Sequence, residues 1–263
     1  MVIANDSNHT TYTSPRVVHH YAQLNQLQPA EKSILDLLAT QEPTLKMLDI
    51  GVGGGRTTQH FSSIAAEYVG IDYSAEMIAA CQKRFPASPQ AISFEVCDVR
   101  DLSRFRDNSF DFILFSFNGI DYISHADRLK VLQEIARVGK PGGYFFFSSH
   151  NLQGLEREFD FRKQLSCNPI RSYVNLVMLG LLHFLNRPIT LRQLRGLAHV
   201  IVRDESHNFR LKTYYIRPQE QIKQLAAFGA VKVYSWQSGL EITDESALAA
   251  NSEMWLYYLC AFK

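Results

Sequence analysis

Along residues 31 to 149 the apolar positions switch repeatedly between a helical and an extended period. Ile34, Leu37 and Leu38 fall at helical spacing, and Pro43 breaks that pattern before the apolar run 45–50, so a helix feeds a strand. Phe61, Ile64 and Ala65 resume a helix across 55–66, and YVGI (68–71) reads as a short buried strand ending at Asp72. Ser74 is placed to cap a helix carrying Met77, Ile78 and Cys81 on one face. Residues 92–96 and 110–115 are a third and a fourth strand, 124–138 is a helix carrying Leu129, Leu132 and Ile135, GKPGG (139–143) is a turn that stops it, and 144–147 is a fifth strand. This alternation predicts an α/β fold: a mainly parallel sheet with helices on both faces.

After His150 the rhythm is lost for about sixty residues. They include an apolar helix near 173–185 and two alternating runs, 199–203 and 209–216, around the turn-like DESHN, where His207 reads as a turn residue. A stretch of this length between regular elements is read as a lid, and the helix, apolar on nearly all sides, as buried beneath it or against a second subunit of a homodimer. Order returns with Pro218 in a first helical turn, Ile222, Leu225 and Ala226 on one face, and Gly229 as a stop. Residues 231–235 and 255–262 are then a final antiparallel pair at the sheet edge. The expected organisation is one domain over 1–263: an N-terminal helical cap (1–43), a core (44–150), the lid insertion (151–213) between strands five and six of seven, and the rest of the core (214–263).

Composition changes this picture little. Apolar residues make up 46%, charged residues 20%, and the formal net charge is +1, so one sizeable core fits in 263 residues. With the basic residues read as scattered, a long polyanionic partner such as a nucleic acid is not expected. Cys81, Cys97, Cys167 and Cys260 show neither CxxC spacing nor the density of a disulfide scaffold, so reduced thiols and no zinc site are expected. The polar start MVIANDSNHTTYTSPRVVHHY lacks the apolar stretch of a secretory signal, and the longest apolar run, 173–186, is short for a bilayer. A cytoplasmic protein without a membrane partner is the expectation.

The chemistry concentrates in LDIGVGGGRTT (48–58). Gly51, Gly53 and Gly55 allow a sharp turn from strand to helix and a close ligand approach to the main chain. In a doubly wound sheet ligands sit beyond the carboxyl ends of the strands, at the point where strand order reverses. Asp72, ending the second strand, can accept the hydroxyl protons of a ribose, which a dinucleotide site would also use. Three details depart from a dinucleotide fingerprint. Arg56 stands where its third glycine belongs, Asp49 places a carboxylate beside the loop that suits a cationic ligand end, and Asp98 can accept from an exocyclic amine such as that of adenine, with the Val99 N–H beside it. Arg56 itself is read as a solvent-facing residue without a chemical role.

LDIGVGGG, VGIDYSAEMI, CDVRDL, SFDFILFSF and RVGKPGGYFFFSS, in this order and spacing, resemble the motifs of the class I S-adenosylmethionine-dependent methyltransferases, over most of the chain outside 152–212. The resemblance implies a Rossmann-like fold and S-adenosyl-L-methionine as cofactor. It places the methionine moiety at Gly51, Gly53 and Asp49, the ribose at Asp72, the adenosine between Tyr73 and Met77, adenine at Asp98 and Val99, and Phe115 and Ser116 beneath the cofactor. Tyr21 would close over it from the N-terminal segment.

The methyl of a sulfonium is already activated, so transfer is an in-line displacement in which the protein mainly aims the two partners, and a base is needed only for a protonated acceptor. His150, after the fifth strand, is the candidate base, and Asn118, Asp121, Tyr122 and Tyr214 with it are the candidate acceptor pocket. The aromatic residues of the insertion point to a small organic acceptor, a metabolite or an amino-acid or peptide-like amine or hydroxyl, rather than RNA. A nicotinamide-dependent oxidoreductase and a noncatalytic nucleotide-binding module share the fold and are the rival functions.

Overall fold

The computed structural model describes residues 14–39, 45–86, 91–187, 189–205 and 209–263. Pro43 and His207 lie outside the described residues. Two helices, α1 (Pro15–Gln23) and α2 (Pro29–Leu38), precede β1 (Leu45–Ile50). The alternating core follows: α3 (Thr58–Phe61), β2 (Ala65–Asp72), α4 (Ala75–Arg84), β3 (Ala91–Val96), β4 (Phe110–Phe115), α5 (His125–Val138) and β5 (Gly139–Asn151). Ser74 and Ser124 cap α4 and α5, their hydroxyls accepting from the N–H groups of Met77 and Asp127, which fixes where each helix leaves the strand-end loops.

The strands lie in the order β3-β2-β1-β4-β5 with parallel pairing. Order reverses between β1 and β4, so their carboxyl ends flank the topological switch point. β9 (Trp255–Ala261) runs antiparallel along β5, and β8 (Val231–Ser235) pairs with β9, completing a seven-stranded core. Alternation along the strands feeds two cores. Phe145 and Phe147 of β5 join Ile113, Leu132 and Phe228 on one face, whereas Phe146 joins Ile34, Phe61 and Tyr257 on the other.

Two local readings change. The expected 55–66 helix shrinks to the single turn of α3 followed by a short 3-10 segment, because β2 begins already at Ala65. GKPGG lies inside β5. Gly139 pairs with Phe110 and Tyr144 with Phe112, so Lys140 to Gly143 form a bulge within the strand rather than a turn before it.

The insertion contains α6 (Leu152–Phe159), α7 (Pro169–Leu185), α8 (Leu191–Leu194) and β6 (His199–Val202), followed by β7 (Thr213–Ile216). The two alternating runs form an antiparallel pair, β6 and β7, with the second strand shorter than its run. His150 pairs with Trp255 of β9 and also with Tyr215 of β7, so β7 occupies the side of β5 that β4 leaves free beyond Phe115. The insertion thus lengthens the sheet past the cofactor-side end of β4 and gathers its own small core around Leu155, Leu182, Val200 and Tyr215. The apolar helix is not buried within the chain itself: of α7 only Leu179 and Leu182 are buried, and most of its large side chains are exposed. The scattered-charge reading fails in the same region, because residues 161–203 contain seven Lys and Arg and no Asp or Glu. The chain continues through α9 (Pro218–Gln224) and α10 (Glu245–Ala250), on the same face of the sheet as α5.

Candidate cofactor site

At the switch point the glycine loop opens a cleft between the ends of β1, β2, β3 and β4. Gly51 and Gly53 have φ of +65° and +55°, a left-handed backbone that favours glycine. Gly54 is constrained differently: a Cβ there would lie 2.4 Å from the Cα of Ala22, so the loop packs directly on the backbone of α1. The Arg84 guanidinium fastens the same contact, donating to the carbonyls of Ala22, Leu24 and Gly54 at 3.2, 3.1 and 2.9 Å. Sequence order thus brings Tyr21 over the loop.

Asp72 is buried. Its Oδ2 accepts from the Gly53 N–H at 3.0 Å and its Oδ1 from the Ser74 N–H at 2.9 Å. Burial outweighs these bonds and pushes its pKa up from 3.8 to about 6. The Tyr73 N–H also acts to lower it, and the carboxylate keeps acceptor capacity for a further donor. Asp49, also buried, accepts from the hydroxyls of Thr57 at 2.5 Å and of Tyr68. Its pKa too is raised to about 6, by burial in the first place. Asp98 is half-exposed. Burial pushes its pKa up, but the Arg100 guanidinium, 2.5 Å from Oδ2, outweighs this and holds the carboxyl below its usual range.

The cleft is lined by Tyr21, Asp49, Gly51, Gly53, Asp72, Tyr73, Met77, Asp98, Val99, Phe115 and Ser116, so the strand-end residues singled out for a cofactor share one cavity. Arg56, Phe117, Tyr122 and Ile123 complete it toward the open side of β4.

Arg56 is not solvent-facing. It is buried, donates to both oxygens of Glu31 on α2 at 2.5 and 2.7 Å and to the Gln26 carbonyl at 3.1 Å, and lies 4.5 Å from the centre of the Phe117 ring. Burial works against its charge, but the Glu31 carboxylate more than compensates and raises its pKa. Ser116 and Tyr257 also donate to Glu31, so α2, the glycine loop, β4 and β9 meet at one ion pair. An arginine in place of a loop glycine is a sequence signal for such a buried partner, but nothing local names Glu31.

Of the acceptor candidates only Tyr122 reaches the cleft. Asp121 is fully buried and serves as a structural hub: it accepts from Arg128 at 2.5 Å, from Ser149 Oγ at 2.8 Å, and from the backbone N–H and Nδ1 of His150 at 2.6 and 2.8 Å. Neither His150 nor Asn118 lines the cleft, and the Asn118 Nδ2 lies 3.4 Å from the His150 Nε2. Asn118 and Phe117 both have positive φ, which bends the chain sharply after β4, and the Asn118 Oδ1 is buried without a hydrogen-bond partner. Tyr214 is fully buried away from the cleft, its hydroxyl 2.8 Å from His125 Nδ1 and accepting from Gln224 at 3.1 Å. Among the described residues none of 151–216 lines the cleft, so the insertion does not roof it.

The model of a methyltransferase domain matches residues 48–147, the segment that builds this cleft. Residues 48–147 are thus a methyltransferase domain, in keeping with the resemblance of the motifs to the class I S-adenosylmethionine-dependent methyltransferases. Among curated methyltransferases, it is 32% identical over 111 residues to the human mitochondrial ubiquinone biosynthesis O-methyltransferase, spanning 41% of this chain and 29% of that protein. It is 28% identical over 107 residues to the ubiquinone biosynthesis O-methyltransferase of Thiobacillus denitrificans, spanning 40% of this chain and 44% of that protein. The match thus covers less than half the length of either relative. The fold continues further: the CcbJ methyltransferase of Streptomyces caelestis superimposes with a TM-score of 0.61 at 15% identity, over 97% of this chain and 98% of that one. An S-adenosylmethionine-dependent methyltransferase from Mesorhizobium loti gives 0.58 at 17% identity, over 88% and 97%.

S-adenosyl-L-methionine is the cofactor of this methyltransferase family, and the cleft fits it. The acceptor capacity left on Asp72 suits a ribose hydroxyl, the glycine backbone leaves room that side chains would fill, and the carboxylate of Asp49 favours a cationic ligand end.

Proposed function

We propose that the protein transfers a methyl group from S-adenosyl-L-methionine to an oxygen or nitrogen of a small organic acceptor, a metabolite or an amino-acid or peptide-like molecule. The carrying observation is the convergence of Asp49, Asp72, Asp98 and the glycine loop on one cleft that opens past Phe117 and Tyr122. When bound, the cofactor supplies a methyl already activated on a sulfonium. The chain's contribution is then orientation. Asp72 takes the ribose hydroxyls, Tyr73 and Met77 flank the adenosine, Asp98 and Val99 meet the adenine edge, and Asp49 supplies negative potential at the loop.

Tyr122 and Phe117 frame the side from which an acceptor would approach. Positioning alone can supply on the order of 7 to 11 kcal/mol of the barrier reduction. His150 does not reach the cleft, so its role is to position Asn118 and Tyr122, itself held by Asp121, rather than to remove a proton. Oxygen as the methylated atom is favoured by the names of the curated relatives, which are O-methyltransferases.

A dinucleotide is disfavoured by the Asp49 carboxylate beside the loop, repulsive to a pyrophosphate. Calorimetry with S-adenosylmethionine, its demethylated product and NADH tests this, with micromolar affinity expected for the first two and none for NADH. Labelled cofactor incubated with a panel of phenols, amines and RNA tests the acceptor; transfer confined to RNA would overturn the small-molecule reading.

A further inference from the structure

Helix α7 is amphipathic the wrong way round. Asn168 caps it, accepting from the N–H groups of Ile170 and Arg171, and the inward side is fixed by buried Leu179 and Leu182 and by Asn175, which donates to the Gln164 carbonyl at 3.0 Å. At 3.6 residues per turn, Ile170, Tyr173, Val174, Val177, Leu181 and Phe184 share the opposite face. All six are exposed, from 42% for Leu181 to 74% for Ile170. No polar side chain interrupts this stripe; the other residues on the same arc are Gly180 and Leu185. Phe161 and Leu165, just before the helix, are exposed by 56% and 55%. A continuous apolar stripe of this kind marks an interaction surface, because scattered single residues would not align.

Charge identifies the occupant. Residues 161–203 carry seven Lys and Arg and no acid, in a chain whose net charge is only +1. Arg162, Lys163, Arg171, Arg187, Arg192 and Arg195 are all exposed. A second copy docked through this face would bring two such cationic segments together with no carboxylate of 161–203 between them. RNA would match the cations and leave the apolar stripe in water. An anionic bilayer satisfies both, with cations at the headgroups and apolar side chains at the acyl boundary.

We propose that α7 and its flanking cations dock the protein on the surface of an anionic lipid bilayer, the helix lying in the interface. It does not span: no described helix is long and apolar enough to cross a membrane, and 17 residues extend about 25 Å against a hydrocarbon core of about 30 Å. The proposal stands on the insertion alone and does not depend on the reading of the cofactor cleft.

Co-sedimentation of the full chain with vesicles of phosphatidylcholine, with and without phosphatidylglycerol, tests it. Binding should require phosphatidylglycerol and weaken with salt. Leu181→Glu, at an exposed position, should weaken binding at least about tenfold without changing the thermal melt. Arg171→Gln and Arg187→Gln should each weaken it about fivefold. Absence of binding to the anionic vesicles, or binding that Leu181→Glu leaves unchanged, overturns the proposal. So does a wild-type dimer in analytical ultracentrifugation that Leu181→Glu converts to a monomer, which assigns the face to a second copy. Retention of a single-stranded RNA oligonucleotide without vesicle binding assigns it to nucleic acid.

Discussion

Asp72 allows the cofactor reading to be tested through pH. Its folded pKa, about 6, lies above the 3.8 of an ordinary aspartate because burial penalises the carboxylate. The sign follows directly. Stability associated with this group is fully present below 3.8 and is lost as pH rises through about 6, a difference of about 3 kcal/mol at 1.36 kcal/mol per unit. In the ligand-free protein the ionised carboxylate is thus a cost. A ribose changes that balance, since two hydroxyl donors favour the ionised form.

Affinity for S-adenosylhomocysteine should therefore be flat from about pH 8 to about pH 7 and fall about tenfold per unit below the pKa of about 6. Replacing Asp72 by Asn removes the charge that the hydroxyls meet. At about 1.5 to 3 kcal/mol for each bond to a charged group, two such bonds correspond to a loss of roughly two to four orders of magnitude in affinity at neutral pH. The variant should also lose the part of the acid limb that Asp72 contributes, leaving a shallower one from Asp49. Titration calorimetry across this range reads both effects, and adenine as a ligand without ribose should be spared by the substitution. Asp49, whose pKa is likewise about 6, provides the control: Asp49→Asn should keep the acid limb. An affinity that stays flat down to about pH 5, or an acid limb as steep in Asp72→Asn as in the parent protein, would refute the ribose assignment.

Three further outcomes follow from the same geometry. Arg56→Met should destabilise the protein by about 3 to 5 kcal/mol in urea unfolding, because Glu31 is left buried without its partner, and adding Glu31→Leu should recover a large part of the loss. Gly54→Ala places a Cβ 2.4 Å from the Ala22 Cα, so it should loosen α1 from the loop, seen as faster limited proteolysis near residues 14–24 and weaker S-adenosylhomocysteine binding. Once an acceptor is known, Tyr122→Ala should raise its KM while leaving cofactor product affinity within about twofold, if Tyr122, which lines the cleft, meets the acceptor as proposed.

The core was legible because its signals are local. The fourth strand, Phe110–Phe115, coincides with its predicted span, and a strand that ends on an acid places that acid at the carboxyl edge whatever surrounds it, which is why Asp49, Asp72 and Asp98 share a cleft. Direction of a side chain beyond a strand end is not local. His150 and Asp121 lie at the expected end of the sheet, yet they turn toward each other and Arg128 rather than toward the cleft. Arg56 was unreadable for a related reason: its partner Glu31 is 25 residues away and on another helix. The bulge in β5 shows that Pro and Gly mark an interruption without saying whether a strand stops there or resumes in shifted register.

Helix α7 marks the sharper limit. A segment apolar on nearly all sides has the same sequence pattern whether protein, a second chain or lipid covers it. Only the placement of Leu179 and Leu182 against the small core of the insertion decides which side faces inward, and with that side fixed the remaining stripe faces out. The charge imbalance of 161–203 was present in the sequence but averaged away in a net charge of +1. It becomes informative once the fold gathers those cations around one exposed apolar helix, at a segment that continues the sheet beyond the cofactor-side end of β4.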